Sequence, residues 1–376
     1  VSHDDSYAHR DAYRFLGDNG SMQQKLIDAH HALQTRFGFI ARVALALYDA
    51  DTAVLKTFLH SSGGDNPLEH YEARIADAPS LKELLDRNHP RVINRMLTFE
   101  RGEALHHERI GRQGYAASYT MPIFDHGEFI GFLFFNAYDE DVFTEAVLPE
   151  IDLFGHMLSL MVINELTAIR TLQAAVRSTG HLTHHRDPET GSHLDRMSRY
   201  ARLIAQRLAT SHNLSDDFVE HLFMFAPLHD IGKIAIPDRI LMKPARLDED
   251  EMAVMRTHAA LGGAMVEELV ANFGLAGVGH VDIMRNIARY HHEAVNGHGY
   301  PEGRRQADIP LEARIVAVAD IFDALTSKRV YKAAWTNAEA FAEITAMAGQ
   351  QLDPDCVAAL LAEKPAIEAI QARFRE

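Results

Sequence analysis

From about residue 146 the apolar residues change period, and that change constrains the fold more than any other feature. Leu158, Val162, Leu166, Ile169, Leu172 and Val176 recur at spacings of three and four, the repeat of one helix face. No Gly or Pro lies between Gly155 and Gly180, so residues 146–180 are predicted to form one long helix rather than a loose linker. Upstream the pattern is strand-like. Residues 39–48, 53–59, 118–123 and 129–136 are rich in β-branched and aromatic side chains, and Asp125-His126-Gly127-Glu128 reads as the hairpin turn between the last two. Residues 22–36 read as an amphipathic helix. Beyond Gly180 the chain reads as all-helical, with Leu194, Met197, Ala201, Ile204 and Leu208 on one stripe. Further helices are predicted over about 249–271, 282–292, 311–327 and 337–348. The expected architecture is multidomain α+β. Residues 1–160 form an α/β domain with an antiparallel sheet and helices, 146–180 a linking helix, and 181–376 an all-α bundle. A length of 376 residues suits two cores of this kind. The stripe on the linking helix also suits parallel contact with a second copy, a homodimer.

Composition removes several classes of function. No apolar run approaches the ~18–20 residues that span a bilayer. The opening Val1-Ser2-His3-Asp4-Asp5 has neither the basic nor the apolar region of a signal peptide. Cys356 is the single cysteine, which precludes an intrachain disulfide, makes a thiolate metal site very poor and suggests the cytoplasm. The net charge of −16 argues against a nucleic-acid polymer or an anionic membrane as partner. A small anion remains compatible, because a local metal cluster outweighs the global field.

The 23 histidines set the direction, since the informative ones fall between His181 and His298. Five elements stand out. Glu189 and His193 are four residues apart, a spacing that brings a carboxylate and an imidazole to one helix face. Pro188 and Gly191 suggest a helix start there, so a turn could serve instead. His229-Asp230 precedes Ile231-Gly232-Lys233, and a carboxylate so placed can bridge two ions. His258 stands alone. His291-His292-Glu293 is followed by Asn296-Gly297-His298-Gly299-Tyr300-Pro301. Asp320 sits in the run 317–326. Each alone has an ordinary explanation as a satisfied core or surface residue.

Together, His229-Asp230-Ile231-Gly232-Lys233-Ile234 and His291-His292-Glu293 with Gly299-Tyr300-Pro301 resemble the two signatures of the HD-GYP family, over about residues 175–362. The resemblance implies an HD-type helical bundle that hydrolyses cyclic-di-GMP to linear pGpG, GMP or both. It implies two or three divalent ions, Fe first and Mn next. One would be held by His193, His229, Asp230 and Asp320, and a second by Asp230 as bridge with His258, His291 and His292. Glu189 matches the extra carboxylate of members with a third ion. Asp230 and Lys233 would be catalytic. Lys233, Arg329 and Lys332 would face substrate phosphate, and Gly299, Tyr300 and Pro301 would form a loop beside the site. A diguanylate-cyclase-type protein is an implied partner. A donor set of imidazoles and carboxylates without sulfur suits Fe, Mn, Zn or Ni and disfavours Cu(I) and Fe–S clusters. Asn296 and Lys328 stand where many members have Asp, at positions not implied to bind metal. A catalytically silent or gated cyclic-dinucleotide receptor is the alternative reading.

Met121-Pro122-Ile123 through Gly127-Glu128-Phe129-Ile130-Gly131-Phe132-Leu133, with Phe143-Thr144 and the helix that follows, resembles the end of a GAF domain covering about residues 20–165. That resemblance implies a small-molecule ligand or a dimerisation role. A covalent bilin normally needs a cysteine, and this region has none.

Overall fold

The computed structural model describes residues 11–18, 20–63, 68, 70–95, 113–182, 191–272, 279–327 and 334–375, without the side chains of 175–182. The chain divides into two compact units, Val1–Glu165 and Leu166–Glu376.

In the first unit, α1 (Met22–Arg36) starts where the Ser21 hydroxyl accepts the Gln24 N–H, satisfying one of the open donors of the first turn. Then follow β1 (Ile40–Asp49), β2 (Val54–Ser62), β3 (Glu72–Arg74), α2 (Pro79–Arg87), β4 (Arg91–Ile93), β5 (Ala117–Asp125) and β6 (Glu128–Ala137). They form one antiparallel sheet of order β3-β2-β1-β6-β5-β4, an antiparallel sheet with helices as expected for a GAF-like unit. The β5–β6 turn places His126 and Gly127 at φ of 48° and 87°, the positive values a tight hairpin needs at both central residues. Phe132, Leu133 and Phe135 are fully buried at the sheet centre. Arg42 is also buried there and donates to Asn136 Oδ1 at 3.1 Å. Burial pulls its guanidinium down to about 10, so it stays a cation at neutral pH. It borders a narrow apolar cavity of about 40 Å³ lined by Leu45, Leu55, Leu81 and Phe134.

Helix α3 (Leu148–Leu182) runs through the boundary between the units as one uninterrupted element. In the second unit it is followed by α4 (Gly191–His212), α5 (Asp216–Phe225) and two 3-10 turns, Ala226–Leu228 and Ile231–Ala235. Next come α6 (Asp238–Leu241), α7 (Glu249–Asn272), α8 (Val281–Tyr290), α9 (Leu311–Thr326), α10 (Asn337–Met347), α11 (Pro354–Leu361) and α12 (Lys364–Arg373). Among the described residues this unit has isolated bridges but no strand. Helix α9 is its axis. Ile315, Val316, Val318, Ala319 and Phe322 are fully buried and pack with Tyr200, Ile204, Leu222 and Ile287 of the surrounding helices. Each large apolar side chain so buried contributes about 1.5–3 kcal/mol. No helix among the described residues is long and apolar enough to cross a membrane.

The second 3-10 turn lies directly on α7. A Cβ on Gly232 would collide with the carbonyl of His258 and press on the amide of Gly262, both backbone atoms that no rotamer change can move aside. We expect Gly232→Ala to destabilise the protein by about 2–3 kcal/mol, read as a fall in the urea midpoint. An unchanged midpoint would show that this contact does not set the packing.

Candidate metal centre

Imidazoles and carboxylates converge where five segments of the second unit meet. His193 enters from the first turn of α4, His229 and Asp230 from between the two 3-10 turns, and His258 from α7. His291 and His292 follow α8, and Asp320 projects from α9. Asp230, His258, His291 and His292 each offer a ligand atom within 4.8 Å of the others, and so do His193, His229 and Asp320.

Asp230 stands between the two groups. Its Oδ2 lies 3.2 Å from His229 Nε2, and its Oδ1 lies 3.1 Å from His258 Nε2 and 3.6 Å from His291 Nε2. His193 Nε2 is 3.7 Å from Asp320 Oδ1. Four of the five imidazoles present lone pairs to the centre, because their Nδ1 atoms have outward acceptors. His229 Nδ1 faces the Ala226 carbonyl at 3.1 Å, His258 Nδ1 that of Met255 at 2.8 Å, and His291 Nδ1 that of Ile287 at 2.9 Å. His193 Nδ1 faces Asp323 Oδ2 at 2.8 Å. A proton on Nδ1 leaves Nε2 as the donor atom, the usual way in which outer partners orient a ligating histidine.

The fit to divalent metal rests on orphaned atoms. His258 Nε2, His291 Nε2 and Asp230 Oδ1 are buried without a hydrogen-bond partner, although they lie close together. Lone pairs crowded in this way repel unless a cation lies among them. The electrostatics agree. Burial lowers the pKa of His291 and, with His291 as neighbour, that of His292, so both stay neutral and able to ligate. Burial alone would raise the Asp230 carboxyl, but the Lys233 ammonium and His229 outweigh it and hold it well below the usual carboxylate range. Lys233 Nζ lies 2.6 Å from Asp230 Oδ2.

The Gly299-Tyr300-Pro301 segment lies beside the cluster. The Tyr300 ring packs on His292 with centroids 4.7 Å apart, and the Arg256 guanidinium lies over the Tyr300 ring at 5.5 Å. A side chain at Gly299 would strike the backbone of Glu293 and Ala294. The neighbouring cavity, about 270 Å³, is lined by His292, His298, Tyr300, Asp320, Arg256 and Gln351. Pro301 is half-buried. Glu189, Arg329 and Lys332 lie outside the described residues.

Two supporting groups escaped the sequence reading. Asp323, fully buried one turn beyond Asp320, holds His193 and is gripped by Arg196 through Nε at 2.7 Å and Nη2 at 2.9 Å. Burial would raise the Asp323 carboxyl, but His193 and Arg196 keep it low and charged. The i,i+3 repeat of Asp320 and Asp323 was the available signal. Glu293 accepts the backbone N–H groups of Glu302 at 2.7 Å, Gly303 at 3.1 Å and Arg304 at 2.9 Å, which ties down the chain after Pro301. A carboxylate next to a histidine pair looks like a ligand in sequence, and only the fold shows it bonding to backbone.

Residues 185–356, within the second unit, match a family model described as an HD domain. The chain is 46% identical over 190 residues to the cyclic di-GMP phosphodiesterase response regulator RpfG of Xanthomonas campestris pv. campestris, covering 50% of this chain and 47% of that protein. It is 34% identical over 226 residues to a 3'3'-cGAMP-specific phosphodiesterase 2 of Vibrio cholerae, covering 60% of this chain and 41% of that protein. The chain thus spans about half the length, or less, of these curated relatives. The first unit is similar to the phycocyanobilin-bound GAF domain from a cyanobacterial phytochrome, at 15% identity and a TM-score of 0.33, over 42% of this chain and 96% of that one.

Two outcomes are expected. Glu293→Ala removes charge-assisted bonds to three backbone donors and should cost about 2–4 kcal/mol in urea unfolding, with Glu293→Gln intermediate. The second concerns pH. Folded His291 and His292 resist protonation, whereas in the unfolded chain they titrate near the ordinary value of about 6.5. Below that value the unfolded state takes up protons that the folded state does not, so stability falls with pH. The melting temperature of the metal-free protein should drop from about pH 7 to pH 5. A flat or rising trend would contradict neutral buried rings.

Proposed function

We propose that the chain is a metal-dependent phosphodiesterase that hydrolyses cyclic-di-GMP to linear pGpG, GMP or both. The observation that carries this reading is the pair of imidazole–carboxylate groups meeting at Asp230, with ligand atoms buried and turned inward. His193, His229, Asp230 and Asp320 would hold one ion, and Asp230, His258, His291 and His292 a second. Fe is the first expectation and Mn the next from the resemblance to the HD-GYP family, and nitrogen and oxygen donors are compatible with both. Glu189 would add a ligand for a third ion. The ions would supply Lewis acidity and lower the pKa of water towards neutrality. The protein's own groups would position the substrate. Lys233, next to Asp230, would meet a phosphate, Arg329 and Lys332 would add positive charge, and Tyr300 would close one side through its packing on His292.

The named activity of both relatives supports a cyclic-dinucleotide substrate, and the Vibrio protein makes a mixed guanine–adenine cyclic dinucleotide the second candidate. In this reading the protein works in the cytoplasm, as a single buried cysteine suits a reducing compartment. The first unit would bind an unidentified small molecule or act by dimerisation and conformation. The stripe Leu158, Val162, Leu166, Ile169 and Leu172 is buried within the chain itself and is not free for a partner, so Leu153 and Leu160, seven residues apart on α3 and 70% and 66% exposed, would instead pair with a second copy in a homodimer.

Anaerobic metal analysis paired with chromatographic assay of cyclic-di-GMP turnover tests the proposal. Two or three Fe or Mn per chain with a linear product are expected. Asp230→Asn should lower turnover by at least about 1,000-fold, since it removes the charge shared by both groups. Bound metal with no turnover of either dinucleotide, and nucleotide binding unchanged by Asp230→Asn, would replace the enzyme with a receptor.

A further inference from the structure

We propose that Asp217, His221 and His280 form a second, mononuclear divalent-metal site in the HD unit, separate from the centre around Asp230. The local sequence builds it. The Ser215 hydroxyl accepts the Phe218 N–H and fixes the start of α5. The four-residue spacing then stacks Asp217 and His221 on one helix face. His280, the residue before α8, has a φ of 56°, and its ring meets the same face.

His280 Nε2 lies 2.9 Å from Asp217 Oδ2, and His221 Nδ1 lies 2.9 Å from Asp217 Oδ1. All three residues offer a ligand atom within 4.8 Å of one another. Asp217 and His221 are buried, and the His280 side chain is 30% exposed, which leaves a route to solvent.

One atom points to a ligand rather than to a closed hydrogen-bond network. The His221 Nδ1 has hydrogen-bond geometry towards the main-chain carbonyl of Asp217, at 2.8 Å. That leaves Asp217 Oδ1 buried and without a hydrogen bond, on a residue only 5% exposed. To bind a divalent ion, His221 Nδ1 would give up its proton, and with it the contact to the Asp217 carbonyl, and share the ion with Asp217 Oδ1 and His280 Nε2, which would satisfy the orphan. Each imidazole would stay neutral, keeping its ring proton on the other nitrogen. One carboxylate and two imidazoles, with water in the fourth position, form a donor set for Zn²⁺ or an ion of similar hardness.

The position gives the site a consequence. Helix α5 runs into the turn that carries His229 and Asp230, and α8 runs into His291 and His292. An ion tying the body of α5 to the start of α8 would stiffen the two elements that supply most of the Asp230 centre.

The test is equilibrium dialysis of the metal-free full chain against Zn²⁺, with ions per chain counted by atomic emission for wild type, His280→Ala and Asp217→Asn. Each variant should hold one ion fewer than wild type. Co²⁺ loading should give a wild-type-minus-variant spectrum with the visible bands of a four-coordinate nitrogen–oxygen site. Asp217→Asn keeps an oxygen to accept from His280, so it decides the matter if His280→Ala does not fold. Equal ion counts in wild type and Asp217→Asn would overturn the proposal and leave a structural His–Asp–His network. Loss of the Asp230 centre would instead lower all three counts together and preserve the one-ion difference.

Discussion

A single carboxylate organises the second unit. Asp230 is largely buried, and its two oxygens face different imidazole groups, His229 on one side and His258 with His291 on the other. Such a group is stable only where cationic charge compensates it. In this chain the Lys233 ammonium supplies part of that charge, and the inward-turned lone pairs of His258 and His291 beside it make a place for divalent ions to supply the rest. The backbone serves the same end. Five separate segments must arrive within a few ångströms of Asp230, and the core around α9 fixes their approach.

Much of this architecture was legible because period and punctuation agreed. The switch to three-and-four spacing near residue 146 corresponds to α3, and the Asp125–Glu128 turn to the β5–β6 hairpin. Helices over 249–271 and 311–327 emerged as α7 and α9 within a residue or two. What was not legible was short or non-local. Strands β3 and β4 have three residues each, too few to show an alternation. The 3-10 turn Ile231–Ala235 depends on packing against α7 and carries no period of its own.

The centre shows the same division. Residues in the two signature runs, with His258 and Asp320, come together in space. Asp323 and Arg196 support His193 from positions 127 residues apart, a pairing that no local pattern reveals. Glu293 neighbours the histidine pair in sequence, yet its bonds go to the backbone at 302–304, a role that only the folded chain reveals. The Asp217–His221 spacing was visible in the sequence, but its third member, His280, is set by the turn before α8.

The contact between Gly232 and α7 has a wider meaning. It joins the Asp230 turn to the helix of His258 through main chain alone, without an intervening side chain. Side chains hop between rotamers as temperature rises, but a backbone-to-backbone seat has no rotamers to sample. The spacing between Asp230 and His258 is therefore a property of the fold's skeleton. It works like a fixed gauge block in an instrument whose other parts flex, and it would hold its dimension through warming or through sequence drift elsewhere in the core.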